Sequence, residues 1–325
     1  MKNVAVIGEI HSDGIDILKK NQFKVIDLSS IPNKDLAEHL DKVEGIVLRT
    51  AQISDEILES CKSLKIIARH GVGYDNLNLK FLNKKNIALA ITGTSNAASV
   101  SEHVMTMFLY LCKMINKSDR LVREGKFKDK RSLPDFFELY KKNILILGFG
   151  RIGKALAKKC IGFDSHVYVN DPFIDPLIIN ENNCHEIDFE EGLKIADFIS
   201  IHMPLNSNTK NLITKKEFSL MKKNCIIVNT SRGGIINESD LSWALTEKII
   251  YGSGIDVYEK EPPNVDKELF KLDNIIFSPH NAALTIECRK RMAVESCENV
   301  VNFLNNSKDL NSKNIVNSKE LRLDI

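Results

Sequence analysis

Asn143-Ile144-Leu145-Ile146-Leu147-Gly148-Phe149-Gly150-Arg151-Ile152-Gly153 is the stretch on which the fold turns. The residues up to Leu147 read as a buried strand that ends at Gly148. Beyond it Ile152, Ala155, Leu156 and Cys160 share one face of a helix that begins about Arg151. A glycine turn alone is a weak sign, because such turns occur in many loops. Between a strand and a helix, however, each glycine has a physical task. Gly148 permits the tight turn, Gly150 lets backbone approach a pyrophosphate, and Gly153 lets helix pack on strand. The amides of Arg151 and Ile152, at the helix N-terminus, are then placed to bind phosphate oxygens.

The next strand, 167–169, runs through Asn170 into Asp171, within the roughly 20-residue spacing expected of a ribose-binding acid. A carboxylate there accepts from both ribose hydroxyls and repels a 2′-phosphate. No Arg follows it, only Pro172 and Phe173. The expected cofactor is therefore NAD rather than NADP.

Outward from this turn, short apolar runs alternate with helix-period segments, the pattern of parallel βαβ units. A first set of strands is expected at 4–7, 24–26, 46–48, 66–68 and 88–90, with helices such as 32–41 and 54–61 between them. It has no glycine fingerprint. A second set is expected at 144–147, 167–169, 198–201, 226–228, 254–257 and 275–277, six strands that make a dinucleotide-binding sheet. From 99 to 115 the apolar spacing of Val100, Val104, Met107, Phe108, Leu111 and Ile115 predicts one long helix buried on more than one side. Such a helix crosses between domains or packs on a second subunit. After Pro279 come one helix, 286–304, and a polar tail with no sheet of its own, so the chain is expected to return to the first unit. The fold class is α/β: two doubly wound parallel-sheet domains, a Rossmann NAD-binding domain (99–283) inserted within a smaller, flavodoxin-like substrate domain (1–98 and 284–325). A hinge is expected near 95–101 and 283–289, closing a cleft between the domains.

Size and charge agree with this reading. A chain of 325 residues exceeds one ordinary core. Net charge is only +2 with acids and bases interspersed, unlike the basic face of a nucleic-acid binder. No signal-peptide core forms before Glu9, and the apolar run 104–111 is too short to span a bilayer. Seven scattered cysteines without a CxxC pair fit a reduced, cytoplasmic protein, and no metal site is expected.

Hydride transfer to a 2-keto acid needs a cation for the carboxylate and carbonyl, an acid/base for the proton, and a group that tunes that base. Arg232, in Asn229-Thr230-Ser231-Arg232-Gly233-Gly234, follows a buried strand, where open α/β sheets place their ligands. Taken alone it is equally a surface ion-pair partner, but the small residues around it suggest a crowded turn. Among the histidines, His11, His39, His166 and His185 read as solvated or satisfied, while His70, His202 and His280 sit at strand-to-loop junctions. An imidazole is suited to proton exchange near neutrality. In Asp256-Val257-Tyr258-Glu259-Lys260-Glu261-Pro262-Pro263, Glu261 is the carboxylate whose loop the prolines stiffen; Glu259 competes, and spacing does not decide between them.

With these residues assembled, the chain resembles the D-isomer-specific 2-hydroxyacid dehydrogenase family, nearest to its D-3-phosphoglycerate dehydrogenase branch. The resemblance runs from about Gly45 to Val316. It rests on Leu48-Arg49-Thr50, Arg69-His70-Gly71-Val72-Gly73-Tyr74-Asp75-Asn76, the glycine turn, His202-Met203-Pro204-Leu205, Asn229-Thr230-Ser231-Arg232-Gly233, Asp256-Val257-Tyr258-Glu259-Lys260-Glu261-Pro262 and Ser278-Pro279-His280. It implies that Arg232 binds the substrate carboxylate and carbonyl, that His280 is the general acid/base, and that the acid before Pro262, Glu261, pairs with it. It further implies that Asp256 holds the nicotinamide carboxamide, that Thr230 and Ser231 line the cofactor, and that His202, Met203 and Pro204 pass beside the adenine ribose. Arg49 and the backbone of His70-Gly71-Val72-Gly73 would close over the substrate.

The resemblance implies an NAD-dependent oxidoreductase acting on a D-2-hydroxy acid or 2-keto acid, among them 3-phosphoglycerate in serine biosynthesis. The alternatives are a hydroxypyruvate or glyoxylate reductase, or an NAD(H)-sensing binding protein like the family's transcriptional corepressors. Partners are expected to be the small substrate and a second copy in a homodimer, with no nucleic acid and no membrane. Two departures touch the pocket. His70 stands where the family often has a small residue, which would put a second imidazole toward the substrate. Asn281-Ala282-Ala283-Leu284-Thr285 stands where phosphoglycerate enzymes usually carry glycines or Ser. An extension of the kind some members carry for serine feedback is not expected.

Overall fold

The computed structural model of the chain describes residues 1–93 and 95–323. The last two residues of the polar tail lie outside it, as does residue 94. Two compact units are present: residues 1–96 with 284–325, and residues 97–283.

In the first unit, β1 (Asn3–Ile7), β2 (Lys24–Asp27), β3 (Gly45–Leu48), β4 (Ile66–Arg69) and β5 (Ala88–Ala90) form a parallel sheet in the order β2-β1-β3-β4-β5. Helices α1 (Ser12–Lys20), α2 (Ala37–Leu40), α3 (Asp55–Ser60) and α4 (Leu79–Lys84) connect the strands. The expected helix at 32–41 is instead a 3-10 turn, Asn33–Asp35, followed by one turn of α-helix. One sheet face packs on α2, α3 and α4 through Leu36, Leu40, Leu58 and Leu82. The other buries Val4, Val6, Val47 and Ile66 against Cys297, Val300, Val301 and Leu304 of the last helix. Order reverses between β1 and β3, and Gly8 and Arg49 follow those two strands at their carboxyl ends, where doubly wound sheets bind ligands.

In the second unit, α5 (Ala97–Lys113) and α6 (Ile115–Arg123) precede β6 (Asn143–Leu147), α7 (Arg151–Gly162), β7 (His166–Asn170), α8 (Pro176–Glu181) and β8 (His185–Glu186). Then follow α9 (Phe189–Ile195), β9 (Phe198–Ile201), α10 (Lys215–Phe218), β10 (Ile226–Asn229), α11 (Glu238–Thr246), β11 (Gly252–Ile255) and β12 (Ile275–Phe277); α12 (Ile286–Leu304) belongs to the first unit. The parallel sheet has seven strands, ordered β12-β11-β10-β9-β6-β7-β8, not six. The added β8 is a two-residue edge strand with both residues exposed, too short to leave a pattern. The strand expected at 254–257 begins two residues earlier, because Gly252 and Ser253 pair with β10 and Ser253 also with β12. Strands β9, β10 and β11 are buried on both faces, as a covered parallel sheet requires.

The long helix expected over 99–115 also breaks. It ends at Lys113, Met114 turns left-handed with φ +45°, and α6 starts afresh at Ile115. Nine residues of α5, from Ser99 to Cys112, are buried, whereas α6 buries none and Ile115 is exposed. Among the described residues no helix is long and apolar enough to cross a membrane, and no group of three or more His, Cys, Asp or Glu could hold a metal ion. All seven cysteines are free and buried.

Candidate active site

Strand order in the second unit reverses at β6, between β7 and β9, so the loops after β6 and β9 meet at the switch point. Gly148 takes φ +96°, and a Cβ there would lie 2.7 Å from the His202 carbonyl oxygen. At Gly153 a Cβ would lie 2.3 Å from the Gly148 carbonyl oxygen. Gly150 differs: it caps α7 with extended backbone, and its Cβ direction is open space. That gap over a helix N-terminus with no acid in its first turn is shaped to admit an anion against backbone.

Asp171 lies at the end of β7 and also braces the turn: Oδ2 accepts from the Phe149 amide at 2.7 Å and Oδ1 from the Phe173 amide at 3.0 Å. Each oxygen keeps a lone pair for a further donor. His202 shares its Nε2 with Ser200 Oγ at 2.8 Å, while its buried Nδ1 has no partner. The residue as a whole is only half-buried, but burial of its ring pulls the pKa down to about 3, so the imidazole is neutral. Met203 is half-buried and Pro204 exposed.

The turn after β10 is built on buried Asn229. Its Nδ2 donates to the Arg232 carbonyl at 2.8 Å, and its Oδ1 accepts from the Ser231 amide and hydroxyl at 3.0 and 2.8 Å. Thr230 is buried with Oγ1 unpartnered. Arg232 Nη1 donates to the Ser231 carbonyl at 2.7 Å. A Cβ at Gly233 would fall 1.8 Å from the Tyr258 carbonyl oxygen, so this crowded turn admits no side chain there. Sequence spacing did not point to Asn229 as the residue that shapes it.

Asp256 is 1% exposed and binds the segment that carries His280. Its Oδ1 accepts from Ser278 Oγ at 2.5 Å and the Asn281 amide at 2.9 Å; its Oδ2 accepts from the Ala282 amide at 3.1 Å. The His280 amide donates to the Asp256 carbonyl at 2.9 Å, and His280 itself is left-handed with φ +50°. His280 Nδ1 lies 2.8 Å from Glu261 Oε2, and Glu261 Oε1 accepts from the Tyr258 amide at 3.2 Å. Glu259 is committed elsewhere, its Oε1 on the Glu238 amide at 2.9 Å. With Nδ1 facing a carboxylate, the tautomer leaves Nε2 as the atom free to exchange a proton.

In the first unit, Arg49 stands at the sheet's switch point, its amide on the Ile7 carbonyl at 3.0 Å and Nη1 on the Glu9 carbonyl at 3.2 Å. Arg69, the last residue of β4, supports the Gly71–Gly73 loop by donating Nε to the Gly73 carbonyl at 2.8 Å and Nη1 to the Leu48 carbonyl at 3.0 Å. His70 is 7% exposed with Nε2 at 3.3 Å from the Arg289 carbonyl. Burial, with the charges of Arg49 and Arg69 as lesser causes, pulls its pKa down to about 4. The expected second imidazole is thus neutral and held by backbone, while Gly71 (φ +146°) has no neighbour near its Cβ direction.

Residues 105–282 match the family described as D-isomer specific 2-hydroxyacid dehydrogenase, NAD binding domain. The chain belongs to the D-isomer-specific 2-hydroxyacid dehydrogenase family. It is 36% identical to the glyoxylate reductase of Thermococcus litoralis over 310 residues, covering 92% of this chain and 93% of that protein. It is 34% identical to the D-3-phosphoglycerate dehydrogenase of Archaeoglobus fulgidus over 97% of this chain, but spans only 59% of that relative's length. Among solved structures, NAD-dependent formate dehydrogenase from Staphylococcus aureus, in complex with NAD, superposes with TM-score 0.81 at 28% identity, over 97% of this chain and 99% of that one. A glyoxylate reductase from Paecilomyes thermophila shares the fold, with TM-score 0.87 at 22% identity over 98% and 99%. The protein is an α/β member of this NAD-dependent oxidoreductase family, and its residues 105–282 match the NAD-binding domain, so NAD is its cofactor. The open Gly150 direction, the α7 N-terminus and the orphaned Thr230 hydroxyl fit that group.

Proposed function

We propose that the protein reversibly reduces a small 2-keto acid to the D-2-hydroxy acid, with the Glu261–His280 pair as the observation that carries the reading. NADH, when bound, would supply the hydride to the carbonyl carbon. Arg232 neutralises the substrate carboxylate and stabilises charge growing on the carbonyl oxygen. His280 Nε2 gives that oxygen its proton, and takes it back in the oxidative direction. Glu261 fixes the ring's orientation. Gly148, Gly150, Gly153, Arg151 and Ile152 would hold the pyrophosphate, Asp171 the adenine ribose, and Thr230, Ser231, Asp256 and the His202-Met203-Pro204 segment would flank the rest of the cofactor. The Asp171 carboxylate favours NAD over NADP. Arg49 and the His70–Gly73 backbone supply further substrate contacts.

For the substrate itself, Arg49 is a guanidinium suited to a phosphate or a second carboxylate, which supports the 3-phosphohydroxypyruvate/3-phosphoglycerate pair. A full-length match to a glyoxylate reductase favours glyoxylate or hydroxypyruvate as the second reading. NADH oxidation measured against phosphohydroxypyruvate, hydroxypyruvate, glyoxylate and 2-oxoglutarate separates them. The largest kcat/KM names the substrate; tight NADH binding with no turnover on any of them overturns the enzymatic reading.

We further propose a homodimer built through α6 and the stretch after it, where Ile115, Val122, Phe127, Phe136 and Tyr140 stand exposed around a helix with no buried residue. Seven free thiols fit a cytoplasmic site.

A further inference from the structure

His103 was given no part in the reaction above, yet it touches the segment that carries His280. It lies on α5, and its Nε2 is 2.9 Å from Ser278 Oγ and 3.9 Å from Asp256 Oδ1. A serine hydroxyl has one proton. At 2.5 Å from a carboxylate, Ser278 Oγ spends it on Asp256 Oδ1. The contact with His103 must then run the other way, with Nε2–H donating to Ser278 Oγ. A directed chain results: His103 Nε2–H to Ser278 Oγ–H to Asp256 carboxylate.

The chain ends on a buried hub. Asp256 takes the amides of Asn281 and Ala282 on its carboxylate and the His280 amide on its carbonyl. Further holds on the same segment include the Tyr258 hydroxyl on the Ser278 carbonyl at 2.8 Å, Ser99 Oγ on the Ala282 carbonyl at 2.6 Å and the Ser278 amide on the Ile255 carbonyl at 2.9 Å. Burial pushes the Tyr258 phenol up to about 12, so it stays a donor. His280 must hold φ +50° between these anchors, a conformation a non-glycine residue adopts only when its surroundings enforce it.

We infer that His103 is a positioning residue of this dehydrogenase: by donating to Ser278 it locks the Ser278–Asp256 bond that orients His280. The inference rests on His280 being the acid/base. Without the donor, Ser278 Oγ keeps its bond to Asp256 but loses the partner that fixes its rotamer, and the His280 ring drifts. Misplacement on the scale of about 1 Å costs up to about 100-fold in rate.

The test compares His103→Ala, His103→Gln, Ser278→Ala, the His103→Ala/Ser278→Ala double variant and His280→Ala in the full chain, on the best keto acid of the panel. Gln places an amide N–H at a similar reach from the helix. The expected result is a 10- to 100-fold lower kcat for His103→Ala with KM and NADH affinity within about twofold, recovery of most of that loss in His103→Gln, and a double variant no slower than the slower single one. Should His103→Ala fail to fold, His103→Gln against Ser278→Ala still decides: both equally slow, or both at wild-type kcat, overturns the inference. A His103→Ala kcat within twofold of wild type overturns it too, as does an additive double variant. A His280→Ala enzyme that keeps its turnover overturns instead the assignment on which the inference stands.

Discussion

Glu261 and His280 meet at 2.8 Å, whereas Glu259, two residues away, reaches the Glu238 amide. The two carboxylates, alike in sequence, are thus separated by what they touch. Glu261→Gln removes the group that orients the imidazole and is expected to lower kcat about 10- to 100-fold. Glu259→Ala is expected to leave kcat within about twofold and to lower Tm by a few degrees through loss of the side-chain acceptor of the Glu238 amide. Steady-state rates and thermal unfolding of both variants check the pair; equal kcat losses would sink the distinction.

The glycines of the turn divide in the same way. Gly150→Ala meets open space and is expected to keep wild-type Tm while weakening NADH binding about tenfold or more, about 1.4 kcal/mol. Gly153→Ala would press a methyl to 2.3 Å from the Gly148 carbonyl and is expected to cost about 1–3 kcal/mol of stability. Calorimetric NADH titration beside denaturant unfolding separates the two outcomes.

His70 and His202 are both held neutral, at about 4 and about 3 against an ordinary 6.5. Below pH 6.5 the unfolded chain binds a proton at each site that the folded chain refuses until the lower value is reached. Stability is therefore full above about 6.5 and falls as pH drops toward 4, by up to about 1.4 kcal/mol per pH unit for each histidine. Trp243, the single tryptophan, lies in the same unit as His202 and reports its unfolding. Urea midpoints at pH 7, 5.5 and 4.5 should fall less steeply for His202→Gln than for wild type; identical slopes would refute a buried neutral His202.

If α6 and its neighbours join two copies, a charge among the exposed apolar groups should part them. Val122→Lys with Phe127→Lys is expected to turn a dimer into a monomer in light scattering with Tm of the isolated chain little changed, since neither residue is buried. A wild-type monomer at micromolar concentration would remove the premise.

How far the sequence carried this reading depends on the range of the interaction. The turn at Gly148 was legible because strand, glycines, helix and acid lie within one contiguous stretch. Its spacing gave Asp171 as a ligand for a ribose but not as the brace of the Phe149 amide, which is a tertiary bond. Spacing alone left Glu259 and Glu261 undecided, because their partners lie about 20 residues away on either side, and only the family resemblance singled out Glu261. The break at Met114 carries no Gly or Pro to mark it. His103 sits inside an apolar helical period, and its hydrogen-bond partner, Ser278, comes 175 positions later in the chain. A histidine among apolar helix positions was the one local signal that would have found it.

Helix α12 closes one face of the first unit's sheet, and a Cβ at Gly14 of α1 would lie 2.6 Å from the Ala293 carbonyl of that helix. The polypeptide therefore makes the five strands of that sheet first and the helix that covers them last, with the whole of residues 97–283 synthesised in between. At about 5–20 residues per second the nascent sheet waits on the order of 10–40 s with Val4, Val6, Val47 and Ile66 uncovered. During translation this is the surface a chaperone would meet, and slowing or truncating synthesis before Ile286 should leave the first unit, not the nucleotide-binding one, prone to aggregate.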